Sequence, residues 1–101
     1  MQKLYNIHYL PIAEDDLHSI IDYILTDDPL NALNLLDKFN DSISKLSSFP
    51  YMGSIPRDSQ LERMNYRLLI VESYLVFYVV VNDTVEIRRI LSSKRKYDFL
   101  F

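Results

Sequence analysis

The sequence predicts an α+β fold in which a helical hairpin packs on one face of a small, mainly antiparallel sheet. Three observations lead to this: apolar residues recur every three or four positions over residues 11–46, β-type runs fill residues 65–92, and polar pairs separate those runs. The elements follow the order strand, helix, helix, strand, strand, strand. With 101 residues and one glycine, we expect one folded domain spanning residues 1–101.

The first predicted element is a strand over residues 3–10, in which Tyr5, Ile7 and Tyr9 share one face. Side chains alternate between the two faces of a strand, so these three are expected to point inward. Pro11 suits the first turn of a helix, and an apolar repeat then continues to about residue 26.

The second helix is announced by Asp28 followed by Pro29, an N-cap carboxylate before a proline in the first turn. Its apolar repeat runs to about residue 46. Because only a few residues separate the two helices, they are expected to form an antiparallel hairpin.

The C-terminal part predicts a loop and then a meander. Residues 49–60 contain two prolines and the only glycine, which is typical of a loop. Strands follow at about 65–71, 74–81 and 84–92, joined by two-residue turns, so an antiparallel meander is expected.

The central strand raises the question of a partner. Consecutive helices are expected on one sheet face, which leaves the other face open. Both alternating sets of residues 74–81 are apolar, so we expect a partner to cover the open one. We assign this contact to Val76, Tyr78 and Val80.

Charge is unevenly distributed although the net charge is only −3. Residues 1–62 hold four Lys/Arg against ten Asp/Glu, and residues 63–101 hold seven against four. This predicts that the C-terminal part meets a polyanion or an acidic partner. The candidate phosphate-binding residues are Arg67, Arg88, Arg89, Lys94, Arg95 and Lys96, with Tyr97 beside them. The alternative is ordinary surface charge, with Arg88 paired to Glu86 or to a helix acid.

Several classes of chemistry lack their residues. There is no cysteine for a disulfide, a thiolate metal site or a thiol nucleophile, and no glycine-rich phosphate loop. His8, His18 and the acids at 14–16, 22, 27 and 28 form no recognisable ligand set. We therefore expect no metal and no cofactor. No apolar run is long enough for a signal peptide or a membrane span, so a soluble cytoplasmic protein is expected.

Four patterns occur in order along the chain: F-P-x-x-G at 49–53, Y-R-x-L-x-V at 66–71, Y-L-V-F-Y at 74–78 and V-E-I-x-R-I-L at 85–91. With AEDDLHSIIDYI at 13–24, they resemble the RelE/ParE superfamily of toxins from bacterial type II toxin–antitoxin systems over nearly the whole chain. The resemblance implies a small toxin neutralised by a cognate antitoxin. It also implies one of two targets: the ribosome with its mRNA, cut without a metal, or DNA gyrase.

The resemblance carries over to individual residues in part. Arg67, Arg95 and Tyr97 match or lie near basic and tyrosine positions of RNA-cleaving members, which implies catalytic roles. Leu69 and Leu75 stand where those members carry basic side chains. Ser92 or Ser93 replaces a histidine often found after the last strand. We favour a ribosome-dependent mRNA endonuclease (an mRNA interferase); the alternatives are a ParE-like gyrase inhibitor and a catalytically inactive interaction module.

Overall fold

The structure is a computed structural model that describes residues 3–94. Its elements are β1 (Asn6–Tyr9), α1 (Pro11–Leu25), α2 (Pro29–Ser44) with a short 3-10 helix (Lys45–Ser47), α3 (Ser59–Arg63), β2 (Arg67–Val71), β3 (Tyr74–Val81) and β4 (Thr84–Ser92). The predicted element order is confirmed. The start of the second helix is also confirmed, because the Asp28 carboxylate accepts a hydrogen bond from the Asn31 N–H at 3.2 Å.

The four strands form a mixed sheet in the order β1-β4-β3-β2. β1 runs parallel to β4, while β2, β3 and β4 form the predicted antiparallel meander. The two hairpin turns contain Glu72 and Asn82 with φ of 53° and 54°. Two-residue hairpin loops favour such left-handed conformations because they match the twist of the flanking strands. The predicted α+β class is confirmed.

A β-bulge interrupts the pairing of β3 with β4. Phe77 lies opposite Arg89 while the next residue, Tyr78, lies opposite Ile87, so Arg88 is the extra residue. In a regular strand, Ile87 and Ile90 would point to opposite faces. The bulge brings both into the cluster on the helix side of the sheet, as bulges do when they re-aim side chains.

The helix side of the sheet holds the larger apolar cluster, and it contains the residues that we expected to bind a partner. Val76 and Tyr78 have no exposed surface, and they lie in one cluster with Phe39 and Ile43 of α2. Val80 is partly buried against the same cluster. The prediction that Val76, Tyr78 and Val80 form an exposed contact face is therefore wrong. Both alternating sets of β3 are apolar, so the sequence does not say which set the helices cover.

The sequence analysis predicted that the face opposite the helices is open, but this face is also partly covered. Leu75, Phe77 and Val79 are buried there, in a cluster that includes Leu61 and Tyr66. Leu61 belongs to α3, which the sequence analysis missed because it placed residues 49–60 in a loop. Asp58 caps this short helix by accepting hydrogen bonds from two backbone N–H groups. The chain thus supplies part of the cover that we had assigned to a partner.

No helix within residues 3–94 combines the length and the apolar character needed to cross a bilayer.

Candidate functional site

Arg67, the first residue of β2, is held against the loop that precedes α3. Its NH1 group donates to the carbonyl oxygens of Tyr51 at 3.0 Å and of Gly53 at 2.9 Å. Its guanidinium also lies over the Tyr51 ring, 5.1 Å from the centroid, which is within cation–π range. The position and plane of the guanidinium are therefore set by the loop.

The loop is itself fixed to the sheet at Gly53 and Ser54. The Gly53 N–H donates to the Tyr78 hydroxyl at 3.0 Å, and Ser54 and Leu68 exchange two backbone hydrogen bonds of 2.9 Å each. A Cβ on Gly53 would lie 2.6 Å from the Tyr78 hydroxyl oxygen, so only glycine fits without a shift. Burial raises the pKa of the Tyr78 hydroxyl above its ordinary value.

A cavity of about 450 Å³ opens beside Arg67. It is lined by Tyr51, Ile55, Glu62, Asn65, Tyr66, Arg67 and Val80. A guanidinium, a carboxylate and two phenol rings thus share a cavity with two aliphatic side chains. Glu62 and Arg67 form no ion pair with each other. Such a lining suits a ligand with an acidic group and an apolar group.

Arg88, the extra residue of the bulge, lies against Tyr66. Its NH2 group pairs with Glu86 at 2.8 Å, and its guanidinium carbon lies 5.7 Å from the centroid of the Tyr66 ring. Burial acts to lower the pKa of Arg88, but hydrogen bonds to Glu86 and Tyr66 outweigh it and the pKa is raised. Its Nε is buried and has no hydrogen-bond partner in the described part of the chain.

Arg89 is bound to Asp16 of α1. Its Nε and NH2 groups donate to the two oxygens of Asp16 at 2.7 Å and 3.0 Å, a bidentate pair. The same carboxylate accepts from the Ile90 N–H at 3.0 Å. Both charged side chains are largely buried, and the hydrogen bond to Asp16 raises the pKa of Arg89. This contact fastens the first helix to the end of the bulge.

The structure does not bring Arg67, Arg88 and Arg89 together. Arg67 pairs in register with Tyr78 and so points to the helix side of the sheet, whereas Arg88 lies on the other side with Tyr66. Arg89 binds α1, and Lys94 is exposed. The alternative from the sequence, in which Arg88 pairs with Glu86 or with a helix acid, matches the ion pair of Arg88 with Glu86. The ion pair of Arg89 with Asp16 was not predicted. Arg95, Lys96 and Tyr97 lie outside the described residues.

Five of the seven lining residues were missed by the sequence analysis: Tyr51, Ile55, Glu62, Asn65 and Tyr66. The available signal was the composition of the loop, because Phe49, Tyr51, Met52 and Ile55 place four large apolar side chains in seven residues. All four are exposed in the structure. An apolar loop that is not buried is typical of a binding site.

Leu69 and Leu75, which stand where RNA-cleaving toxins carry basic side chains, are core residues. Leu69 belongs to the cluster on the helix side and Leu75 to the cluster on the opposite side. Each is only 8% exposed. Within residues 3–94, no three His, Asp or Glu side chains are grouped so that they could hold a metal ion.

The family is decided by a match over most of the chain. The model of the ParE toxin of type II toxin–antitoxin systems, parDE, matches residues 7–97. The chain belongs to the ParE toxin family. No curated protein is similar enough in sequence to count as a match to this ParE-family chain.

Solved structures share the fold of this ParE-family chain. A chain of the chromosomal ParDE TA system from P. aeruginosa superposes with a TM-score of 0.73 and 20% sequence identity, covering 88% of this chain and 96% of that chain. A chain of the toxin–antitoxin complex RelBE2 from Mycobacterium tuberculosis superposes with a TM-score of 0.58 and 18% identity, covering 91% and 94%.

Proposed function

We propose that this ParE-family toxin arrests bacterial growth by binding DNA gyrase, and that a cognate antitoxin neutralises it. Membership in the ParE family supports the target, because ParE-like toxins of this superfamily inhibit gyrase without a nuclease centre of their own. The names of both similar structures, ParDE and RelBE2, are those of toxin–antitoxin systems, which supports an antitoxin as partner.

The observation that carries this choice is the distribution of the arginines. Cleavage of RNA without a metal needs cationic groups and an acid or base around one phosphate. Arg67 and Arg88 lie on opposite sides of the sheet, and Arg88 and Arg89 are neutralised by Glu86 and Asp16. An exposed apolar loop with one oriented arginine suits contact with a protein surface better than a phosphate-gripping centre.

A second candidate is the ribosome-dependent mRNA endonuclease, and the cavity lining favours it. Glu62 and Arg67 line the same cavity, so a carboxylate base and a guanidinium could both act on one bound substrate. In that case Glu62 would take the proton of the attacking 2′-hydroxyl, and Arg67 would stabilise the charge that builds up on the phosphate. Catalytic roles for Arg95 and Tyr97 remain predictions.

The two candidates are separated by testing one protein preparation on both targets. The purified chain is added to gyrase with relaxed plasmid, and separately to a programmed ribosome complex whose mRNA is mapped by primer extension. We expect inhibited supercoiling, DNA cleaved by stalled gyrase, and intact mRNA. Cuts in the A-site codon that disappear in Glu62→Gln and Arg67→Ala would refute the gyrase proposal and establish the endonuclease.

The toxin proposal has a simpler test in cells. Expression of the chain alone is expected to stop growth, and coexpression of the cognate antitoxin is expected to restore growth. If the free protein accumulates in folded form without slowing growth, the toxin proposal fails whatever the target.

A further inference from the structure

We propose that the cavity beside Arg67 binds an extended peptide that carries a carboxylate next to an aliphatic side chain. The proposal deepens the proposed function, because such a peptide would belong to a protein partner of the toxin. It assigns Arg67 a role in binding a partner, distinct from the catalytic role that the resemblance implied.

The free edge of Arg67 is the first argument. NH1 is occupied by the two loop carbonyls, and within residues 3–94 Nε and NH2 have no hydrogen-bond partner. Nε and NH2 together form the edge that binds a carboxylate with two parallel hydrogen bonds. The same molecule uses this geometry elsewhere, where Nε and NH2 of Arg89 bind the two oxygens of Asp16.

The rigidity of the site is the second argument. Tyr51 stacks on the guanidinium and supplies one of the carbonyls that hold it, while the Tyr78 hydroxyl anchors Gly53, which supplies the other. The arginine therefore loses little side-chain freedom when a ligand binds. Affinity gained from a fixed receptor is larger than affinity gained from a mobile surface arginine.

The exposed apolar side chains beside Arg67 favour a peptide over a nucleic acid. Glu62 also lines the cavity, and the backbone N–H groups of a peptide can donate to its carboxylate. Tyr51 and Ile55 are more than half exposed and offer apolar contact area beside the charge. A carboxylate for Arg67 and an aliphatic side chain for Ile55 and Tyr51 together satisfy the lining.

The test follows the arginine side chains directly. The full chain is labelled with ¹⁵N, and the Nε–Hε signals of its arginines are recorded by NMR during titration with the tripeptide acetyl-Leu-Glu-Leu-amide. We expect a saturable shift of the Arg67 signal, because its Nε gains a charged acceptor. The Arg89 signal is expected to stay in place, since its Nε already binds Asp16 and serves as an internal control.

Variants distinguish binding by the planar guanidinium edge of Arg67 from binding by its positive charge alone. Arg67→Lys keeps the positive charge but loses the planar edge, and is expected to weaken peptide binding by about tenfold or more, as measured by the shifts of backbone signals around the cavity. Arg63→Lys, at an exposed residue of α3, is expected to leave binding unchanged. The Gln analogue acetyl-Leu-Gln-Leu-amide lacks the carboxylate and is expected to bind wild type at least about tenfold more weakly.

Three results overturn the proposal. A single-stranded dinucleotide such as UpU that shifts the Arg67 signal when the peptide does not would assign the edge to phosphate. Equal binding of the Glu and Gln tripeptides would show that the carboxylate is not recognised. A silent Arg67 signal in both titrations would remove the site. Failure of the gyrase assay with intact peptide binding would refute only the proposed target.

Discussion

Gly53→Ala is expected to destabilise the protein by crowding the contact that fixes the loop over Arg67. The added Cβ would lie 2.6 Å from the Tyr78 hydroxyl oxygen and 2.9 Å from the Leu68 carbonyl oxygen. The Leu68 oxygen is backbone in a sheet, and Tyr78 is fully buried, so neither can move away cheaply. The loop must shift, and the hydrogen bond from Gly53 to Tyr78 lengthens or breaks.

The expected destabilisation by Gly53→Ala is informative, because Gly→Ala changes at positions without positive φ usually stabilise a protein. Gly53 does not have positive φ, so alanine meets no backbone barrier there. At such sites Gly→Ala usually stabilises by about 0.4 to 1 kcal/mol through the unfolded chain. Overpacking costs about 1 to 3 kcal/mol. A lost hydrogen bond adds about 1 kcal/mol. We therefore expect a net loss of about 1 to 3 kcal/mol in the free energy of unfolding.

The assay is urea denaturation followed by circular dichroism, on wild type, Gly53→Ala, Tyr78→Phe and the double variant. Tyr78→Phe leaves a buried N–H without its acceptor and is expected to cost about 1 to 2 kcal/mol. The double variant is expected to cost less than the sum, because phenylalanine removes the closest obstacle to the new methyl group. A Gly53→Ala variant as stable as wild type, or more stable, would refute the steric argument.

Three further changes test other contacts. Asp16→Ala removes the partner of Arg89 and an acceptor for a backbone N–H, so we expect a loss of about 2 to 4 kcal/mol by urea denaturation; a loss below about 1 kcal/mol would mean that the pair acts as an exposed one. Asp28→Ala removes the N-cap of α2 and is expected to cost about 1 kcal/mol, with Asp28→Asn close to wild type as the control. The pKa values of Tyr9 and Tyr78 are raised by burial, so the unfolded chain loses these protons first and stability should fall as pH rises through about 10. Tyr78→Phe should reduce that slope, and an unchanged slope would contradict the assignment.

The order and bounds of most elements were predictable because local signals agreed with the tertiary structure. The Asp28-Pro29 pair starts α2 as expected, and the two polar pairs at Glu72-Ser73 and Asn82-Asp83 close the hairpins. The periods of 3.6 and 2 that indicate helices and strands are consequences of backbone geometry alone. These features need no knowledge of what packs against them.

The same signals did not predict which face of the central strand β3 the helices cover. Alternation says that Val76 and Tyr78 share a face, and it does not say which face the helices cover when both faces are apolar. The decision rests on the non-local packing of α2, which places Phe39 against the face of Tyr74, Val76 and Tyr78. The short helix α3 was missed for a related reason: five residues carry too little periodicity to separate a helix from a loop.

Arg88 and Arg89 are neighbours in the sequence at the bulge, and each has its own ion-pair partner in the structure. One extra residue lets Ile87 and Ile90 both stay on the helix side, with the two arginines between them. Each then meets its own acid, Glu86 for Arg88 and Asp16 for Arg89. The charge of Arg67 is not neutralised in this way, because its hydrogen-bond acceptors are uncharged backbone carbonyl oxygens. Among the sheet arginines of residues 3–94, Arg67 is therefore the residue with charge and hydrogen-bonding capacity left for a partner.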